Sequence, residues 1–202
     1  MIICAFTDLH ADRKSLLQVK KKAEKADLIV CTGDISIFGR GLETVGLLLA
    51  QLNKKVLLVP GNHELEEELV LITSRNLLNM HKIIYTHKGL TFLGHGGGGF
   101  TRTAQDFVAF TKTIKKETRV DIMMVHQPPY GTKVDKLDLF GHVGNKDYTE
   151  FIKKNQPTIV FCGHLHENFH KSDVIGKTLV VNPGPDGEVY EIKEGKAKRL
   201  PS

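Results

Sequence analysis

Short apolar runs recur along the chain, separated by longer segments whose apolar positions fall at helical spacing. Residues 2–7, 28–31, 55–59, 90–93, 121–125 and 158–162 are nearly continuous hydrophobic stretches of strand length. Between them, residues 11–25 place Leu16, Leu17 and Val19 at helical intervals, and residues 42–52, 65–73, 103–117 and 146–154 read as further helices. The acidic cluster opening the segment 65–73 suits a helix N-terminus, where the backbone dipole is positive. The tail supplies three more short strands, near Val174, at 178–181 and at 189–192. Apolar strands alternating with helices predict an α/β protein with buried, largely parallel pairing; the strands at the C-terminal end add an antiparallel portion. The chain has 202 residues, with no internal repeat or low-complexity linker, and is expected to form one domain over 1–202.

Composition narrows the class without naming it. Hydrophobic residues make up 41% and charged residues 25%, as in ordinary globular proteins. The net charge is +5, but Lys20, Lys21, Lys22, Lys112, Lys115, Lys116, Lys153 and Lys154 all fall on expected helices and read as solvated surface. The basic balance suits an anionic phosphate ester and is compatible with nucleic acid, without singling it out. Cys4, Cys31 and Cys162 each lie in an apolar run; an odd number without close pairs argues against a disulfide framework. No stretch is long enough to span a bilayer, so no membrane partner is expected. Residues 1–9 lack the basic start of a signal peptide, which makes the cytoplasm the default compartment. The pattern fixes no oligomeric state.

The chemistry sits where the apolar runs end. Five of them are followed by Asp8-Leu9-His10, Gly33-Asp34, Gly61-Asn62-His63-Glu64, His126 and Gly163-His164-Leu165-His166. In open α/β sheets, ligands bind in the crevice beyond the carboxyl ends of the strands. Each piece has a plainer explanation: a turn for Gly33-Asp34, a helix cap for Asn62, a chance pair for the histidines. Jointly those explanations fail, because every piece follows an apolar run and every piece supplies a compatible ligand. Asp8, His10, Asp34, Asn62, His126, His164 and His166 offer oxygen and imidazole donors without thiolates, a set suited to manganese, iron, zinc or nickel. The set exceeds one ion's needs. It can hold two divalent metal ions if one carboxylate bridges and water fills the remaining positions. Such a pair, roughly 3.5–4 Å apart, is the clamp used for in-line displacement at phosphorus, and it lowers the pKa of a bridging water.

Among the other histidines, His81, His87 and His170 are expected on the surface and His142 in a solvated loop. His95 follows a strand and precedes the glycines at 96–99. A glycine run lets backbone amides approach a phosphate closely, so this loop is expected at the rim of the site, with His95 or Phe100 available to substrate.

These motifs, in this order, resemble the calcineurin-like metallophosphoesterases, and the resemblance spans residues 8–166. It implies a four-layer αββα sandwich with two mixed β-sheets. It implies that Asp8, His10 and His166 hold one metal and Asn62, His126 and His164 the other, with Asp34 bridging. It further implies a phosphodiesterase-like hydrolase in which hydroxide activated by the metal pair attacks phosphorus while His63, not a ligand, acts as general acid. One departure stands out. The protein serine/threonine phosphatases of this superfamily carry a second Asp three residues after the Gly-Asp carboxylate, then an Arg, whereas Ile37 and Phe38 stand here. The absence of the long insertions found in the superfamily's nucleases and nucleotidases points to a small phosphate ester as substrate. Two alternatives remain: a scaffold or interaction module of the same fold, which has no need of His63, and a nuclease, which would use a basic track such as Arg40, Arg102 and Lys133.

Overall fold

The computed structural model describes residues 1–201 of the chain. The first half alternates strand and helix: β1 (Ile2–Phe6), α1 (Arg13–Ala23), β2 (Leu28–Cys31), α2 (Leu42–Ala50), β3 (Lys55–Leu58), α3 (Glu66–Ile72) and β4 (Leu77–Asn79). The hairpin β5 (Ile83–His87) and β6 (Leu90–His95) follows, then α4 (Gln105–Lys112), β7 (Ile122–Val125), a two-stranded ribbon of β8 (Lys136–Leu137) and β9 (Gly141–His142), α5 (Lys146–Asn155) and β10 (Ile159–Phe161). The tail forms β11 (Ser172–Ile175), β12 (Thr178–Val181), β13 (Glu188–Lys193) and β14 (Lys196–Leu200).

The long sheets each have six strands, in the orders β14-β13-β1-β2-β3-β4 and β11-β12-β10-β7-β6-β5. In the first, β1 to β4 are parallel and β13 joins β1 antiparallel, with Ile2 opposite Glu191. In the second, β12, β10, β7 and β6 are parallel and the edge strands β11 and β5 run antiparallel. Side chains alternate along each strand, so each sheet has two apolar faces to cover. Ile3, Ala5, Val30 and Leu57 of the first sheet meet Phe92, Ile122, Met124 and Phe161 of the second in a central core. Cys4, Phe6, Ile29, Cys31 and Val56 face the other way, onto Leu16, Val19, Val45, Leu49 and Leu69 of α1, α2 and α3. Leu93, Met123 and Val160 face outward onto Phe107 of α4 and Tyr148 and Ile152 of α5. The result is the four-layer αββα sandwich with two mixed sheets.

Local chemistry explains the helix ends. Asp12 caps α1 by accepting from the Lys14 and Ser15 amides, and Asn145 caps α5 by accepting from Asp147 and Tyr148. The helix expected over 103–117 is shorter, Gln105–Lys112. The Thr111 and Thr113 hydroxyls bond back to the Val108 and Phe110 carbonyls as the helix ends, competing with its continuation. The structure adds β4, β5, β14 and the β8–β9 ribbon, none of which the apolar pattern marked. β4 has only three residues, β5 is largely solvent-facing, and β14 is a charged edge strand of the kind that blocks further pairing. Among the described residues, no helix is long and apolar enough to cross a membrane.

Candidate metal centre

The strand ends of both sheets open on one side. Asp8 and His10 follow β1, Asp34 follows β2, and Asn62 follows β3; His126 follows β7, and His164 and His166 follow β10. The two sheets are joined there by the chain itself. The His164 amide donates to both oxygens of Asp8, at 3.1 and 2.9 Å, and His126 Nδ1 meets the Thr32 carbonyl at 2.8 Å; within the first sheet, the His63 amide donates to Asp34 Oδ1 at 2.9 Å. Gly61 and Gly163 are needed for close approach: a Cβ on Gly61 would strike the Asp34 carboxylate, and one on Gly163 would strike Thr7 and Asp8. Asp8, His10, Asp34 and His164 all adopt left-handed backbone, with φ of 51°, 47°, 51° and 69°. Strain of this kind at non-glycine residues persists where the surroundings hold it, typically at functional sites.

Glu64 is the brace. Its buried carboxylate accepts from the Asp34, Ser36 and Gly61 amides and from the Ser36 hydroxyl, at 2.7–3.0 Å. It thereby ties the end of β2 to the end of β3 and fixes where Asp34 points. Sequence reasoning assigned it no role; the available signal was an acid inside the motif with no ligand duty.

Asp8, His10 and His166 offer ligand atoms within 4.8 Å of one another, and so do Asp34, His126 and His164. His10, Asp34 and His63 form a third such group, which links the other two. Asp34 Oδ2 lies 3.5 Å from His126 Nε2 and 3.9 Å from His10 Nε2. Asn62 Oδ1 is 3.0 Å from His126 Nε2. Thus the residues expected to bind metal are brought together from two sheets.

The donor set fits a pair of divalent ions. A metal-ligating imidazole commonly donates its second N–H to a backbone carbonyl, which frees the other nitrogen. His10 Nδ1 donates to the Ser36 carbonyl at 3.2 Å and His126 Nδ1 to the Thr32 carbonyl at 2.8 Å, so both rings aim Nε2 into the cluster. His164 Nε2 is buried with no hydrogen-bond partner. A buried ring nitrogen without a partner is costly unless something binds it.

Proton affinities follow from the same contacts. Burial alone would raise the Asp34 carboxyl, but the His126 ring and the His63 amide hold it down to about 2. Burial also opposes charge on His126, yet Asp34, then Asp8, raise that imidazole to about 9. Burial and the nearby His126 push His164 down to about 4, which keeps it neutral and ready to ligate. Asp34 and His126 are one ion pair, so their shifts describe one interaction. The lowered Asp34 stabilises the fold above the unfolded carboxyl's pKa and loses that effect as pH falls towards 2. The raised His126 stabilises it below the unfolded imidazole's pKa and loses that effect as pH rises through 9. The lowered His164 acts the other way, losing stability as pH falls from about 6.5 towards 4, so under chelator the chain is expected to melt highest near about pH 6.5. Added metal must displace the His126 proton, so its stabilising effect should grow with pH. A chelated melting temperature that climbs steadily from about pH 6.5 to 9 would contradict this pairing.

The residues expected to touch substrate part company. Phe100 is 67% exposed and its ring centroid lies 4.4 Å from that of His164. The loop before it packs at the rim: Gly97 donates to the Pro60 carbonyl, immediately before Gly61. His95, by contrast, is 2% exposed and turned outward under α4 and α5, against Phe107 and Tyr148. Side-chain alternation puts Gly94 towards the first sheet and His95 away from it. Its Nε2–H donates to Asp106 at 3.0 Å and its Nδ1 accepts from the Tyr148 hydroxyl at 2.8 Å. His81, expected on the surface, instead packs 5.0 Å from His95 and accepts the Gly96 amide on Nδ1. That bond leaves the His81 proton on Nε2, and Lys82 already neutralises Asp106 at 3.2 Å. His81 therefore holds the glycine loop from beneath, packed beside the hydrogen-bonded pair His95 and Asp106. His142 and His170 are not merely solvated: the first pairs with Asp135 and the second with Asp186 and Glu188.

His63 Nε2 is 3.9 Å from Asp34 Oδ2, its Nδ1 is buried without a partner, and Phe38 stacks on its ring at 3.9 Å. Phe38 is 73% exposed and sits at φ 51°. Sequence reasoning noted this position only for the arginine it lacks.

Comparison with known proteins decides the family. The family model described as calcineurin-like phosphoesterase matches residues 1–168. The chain belongs to the calcineurin-like phosphoesterase family. It is 35% identical to the uncharacterised protein MJ1162 of Methanocaldococcus jannaschii, over 96% of this chain and 93% of that one. Its fold is similar to that of TT1561 of Thermus thermophilus, with a TM-score of 0.78, 17% identity and coverage of 98% and 97% of the two chains. It also resembles a structure described as a novel archaeal phosphodiesterase, with a TM-score of 0.56, 16% identity and 99% of each chain covered. The chain is thus a hydrolase of phosphate esters, and its Asp and His groups suit the divalent metal pair of its family.

Proposed function

We propose that this phosphoesterase is a phosphodiesterase acting on a small diester. In this reading Asp8, His10 and His166 hold one divalent ion, Asn62, His126 and His164 hold the other, and Asp34 bridges them. When bound, the ions supply Lewis-acid activation of the water nucleophile and charge neutralisation at the phosphate. The observation that carries the reading is Asp34: one oxygen faces both His10 and His126, as a shared ligand must. His63 is left to hold a proton on Nε2 beside Asp34, where it can pass to the leaving oxygen. Phe38 fixes the plane of that ring by stacking, since no carboxylate orients it.

The diester preference rests on charge. A monoester dianion calls for a cation beyond the metals, and Phe38 stands where the related phosphatases carry arginine. A diester has one negative charge and two organic groups, which suits an opening flanked by the exposed rings of Phe38 and Phe100. The whole chain, 1–202, is read as one metallophosphoesterase domain, because β13 and β14 complete the same sheet as β1. Three buried, unpaired cysteines support a reducing compartment such as the cytoplasm. Manganese, iron, zinc and nickel all suit the donors.

The test is a screen of the metal-reconstituted protein against bis-p-nitrophenyl phosphate, p-nitrophenyl phosphate and single-stranded DNA. The diester is expected to turn over fastest by kcat/KM. Faster monoester hydrolysis would reverse the substrate assignment. Preferred cleavage of DNA would make the protein a nuclease, and full metal occupancy with no turnover would make it a scaffold.

A further inference from the structure

The helices α1, α2 and α3 cover one face of the first sheet, and their opposite sides form the outer surface of the molecule. α2 lies in the middle. Its Thr44 and Leu48 share a groove of about 380 Å³ with Leu17 and Lys20 of α1, and its Gly46 packs on Ile72 of α3. This surface exposes Leu17, Leu47, Leu48, Val70 and Leu71 by 64, 65, 37, 67 and 73%. Single exposed leucines are ordinary, but a run across three adjacent helices marks a contact surface. The charges on either side are of opposite sign. α1 carries Arg13, Lys14, Lys20 and Lys21 and no acid, whereas α3 opens with Glu66, Glu67 and Glu68 and has no base.

We propose that this face is a two-fold interface between two copies of the chain. A contact of that kind must be self-complementary, because each copy presents the same patch to the other. A two-fold axis through α2 satisfies this requirement. It lays α2 on its counterpart, burying Leu47 and Leu48, and it exchanges α1 with α3. Each basic α1 then faces an acidic α3, twice over. An anionic membrane surface would not fit, since the glutamates of α3 share the face with the lysines.

The metal-loaded full chain should sediment as a dimer at micromolar concentration. Leu47→Glu should raise the dissociation constant at least about a hundredfold, as expected for a charge forced into an interface centre. Charge reversal supplies a test that does not depend on that variant folding. Arg13→Glu with Lys14→Glu, at the start of α1, and separately Glu66→Lys with Glu67→Lys, at the start of α3, should each weaken self-association. An equimolar mixture of the two should restore it, because each reversed helix then meets its complement. A wild-type chain that stays monomeric at every concentration would overturn the proposal. So would a dimer indifferent to Leu47→Glu, or a mixture no tighter than its components.

Discussion

Asp34→Asn is expected to cost at least about a thousandfold in kcat/KM, and to lower bound metal from two ions to one or fewer, because the metal pair supplies several kcal/mol of transition-state stabilisation. The reason is position. One oxygen of Asp34 faces His126 at 3.5 Å and His10 at 3.9 Å, while the other accepts the His63 amide. An amide keeps the shape but loses the charge, and its NH2 group cannot ligate. Asp8→Asn should behave differently. Asp8 lies 3.6 Å from the His166 ring and groups with His10 and His166 rather than with His126 and His164, so its loss should empty one site and spare the other. Metal content by mass spectrometry, measured alongside turnover, separates the two cases. Equal and mild losses in both variants would contradict a bridging Asp34.

His63→Ala should keep the fold and both metals but lose roughly 10²–10⁴ in rate, the usual size of a general-acid contribution. The ring is not counted among the ligands; it stands beside Asp34, stacked on Phe38 and edge-on to His10 at 4.7 Å. The loss should grow with the basicity of the leaving group. Nitrophenolate departs without a proton, so bis-p-nitrophenyl phosphate should suffer least and an alkyl diester most. Uniform slowing of both, at unchanged metal occupancy, would reassign His63 to electrostatic stabilisation of the transition state.

The residues that the structure brings together in this candidate centre were largely legible in the sequence, because its parts are short and lie at the ends of apolar runs. Asp8, Asp34, Asn62, His126 and His164 needed no tertiary information: a strand that stops at a polar ligand reads the same in any fold of this class. The two-sheet packing was not legible from the strands themselves, because an apolar run does not say which sheet it joins, and it entered through family resemblance. Glu64 and Phe38 were missed for a related reason. Their roles are to accept amides and to stack on a ring, and both partners are set by how β2 and β3 end side by side. His95 shows the opposite error. Its place after a strand suggested the site, but one residue of alternation turned it to the far face of the sheet.

β1 lies between β2 and β13, and its N-terminal amine reaches the Ile192 carbonyl. The candidate ligands Asp8 and His10 hang from this strand, yet its second neighbour arrives only after most of the chain has been made. Until then one edge of β1 has unpaired amides and carbonyls, a condition that slows folding and invites wrong pairing. The family match ends at residue 168, so the segment that closes this edge lies outside the matched pattern. Biogenesis of the candidate centre thus depends on a tail that carries none of its chemistry, and a chain cut short before β13 would emerge with its candidate ligands present and their supporting strand half-made.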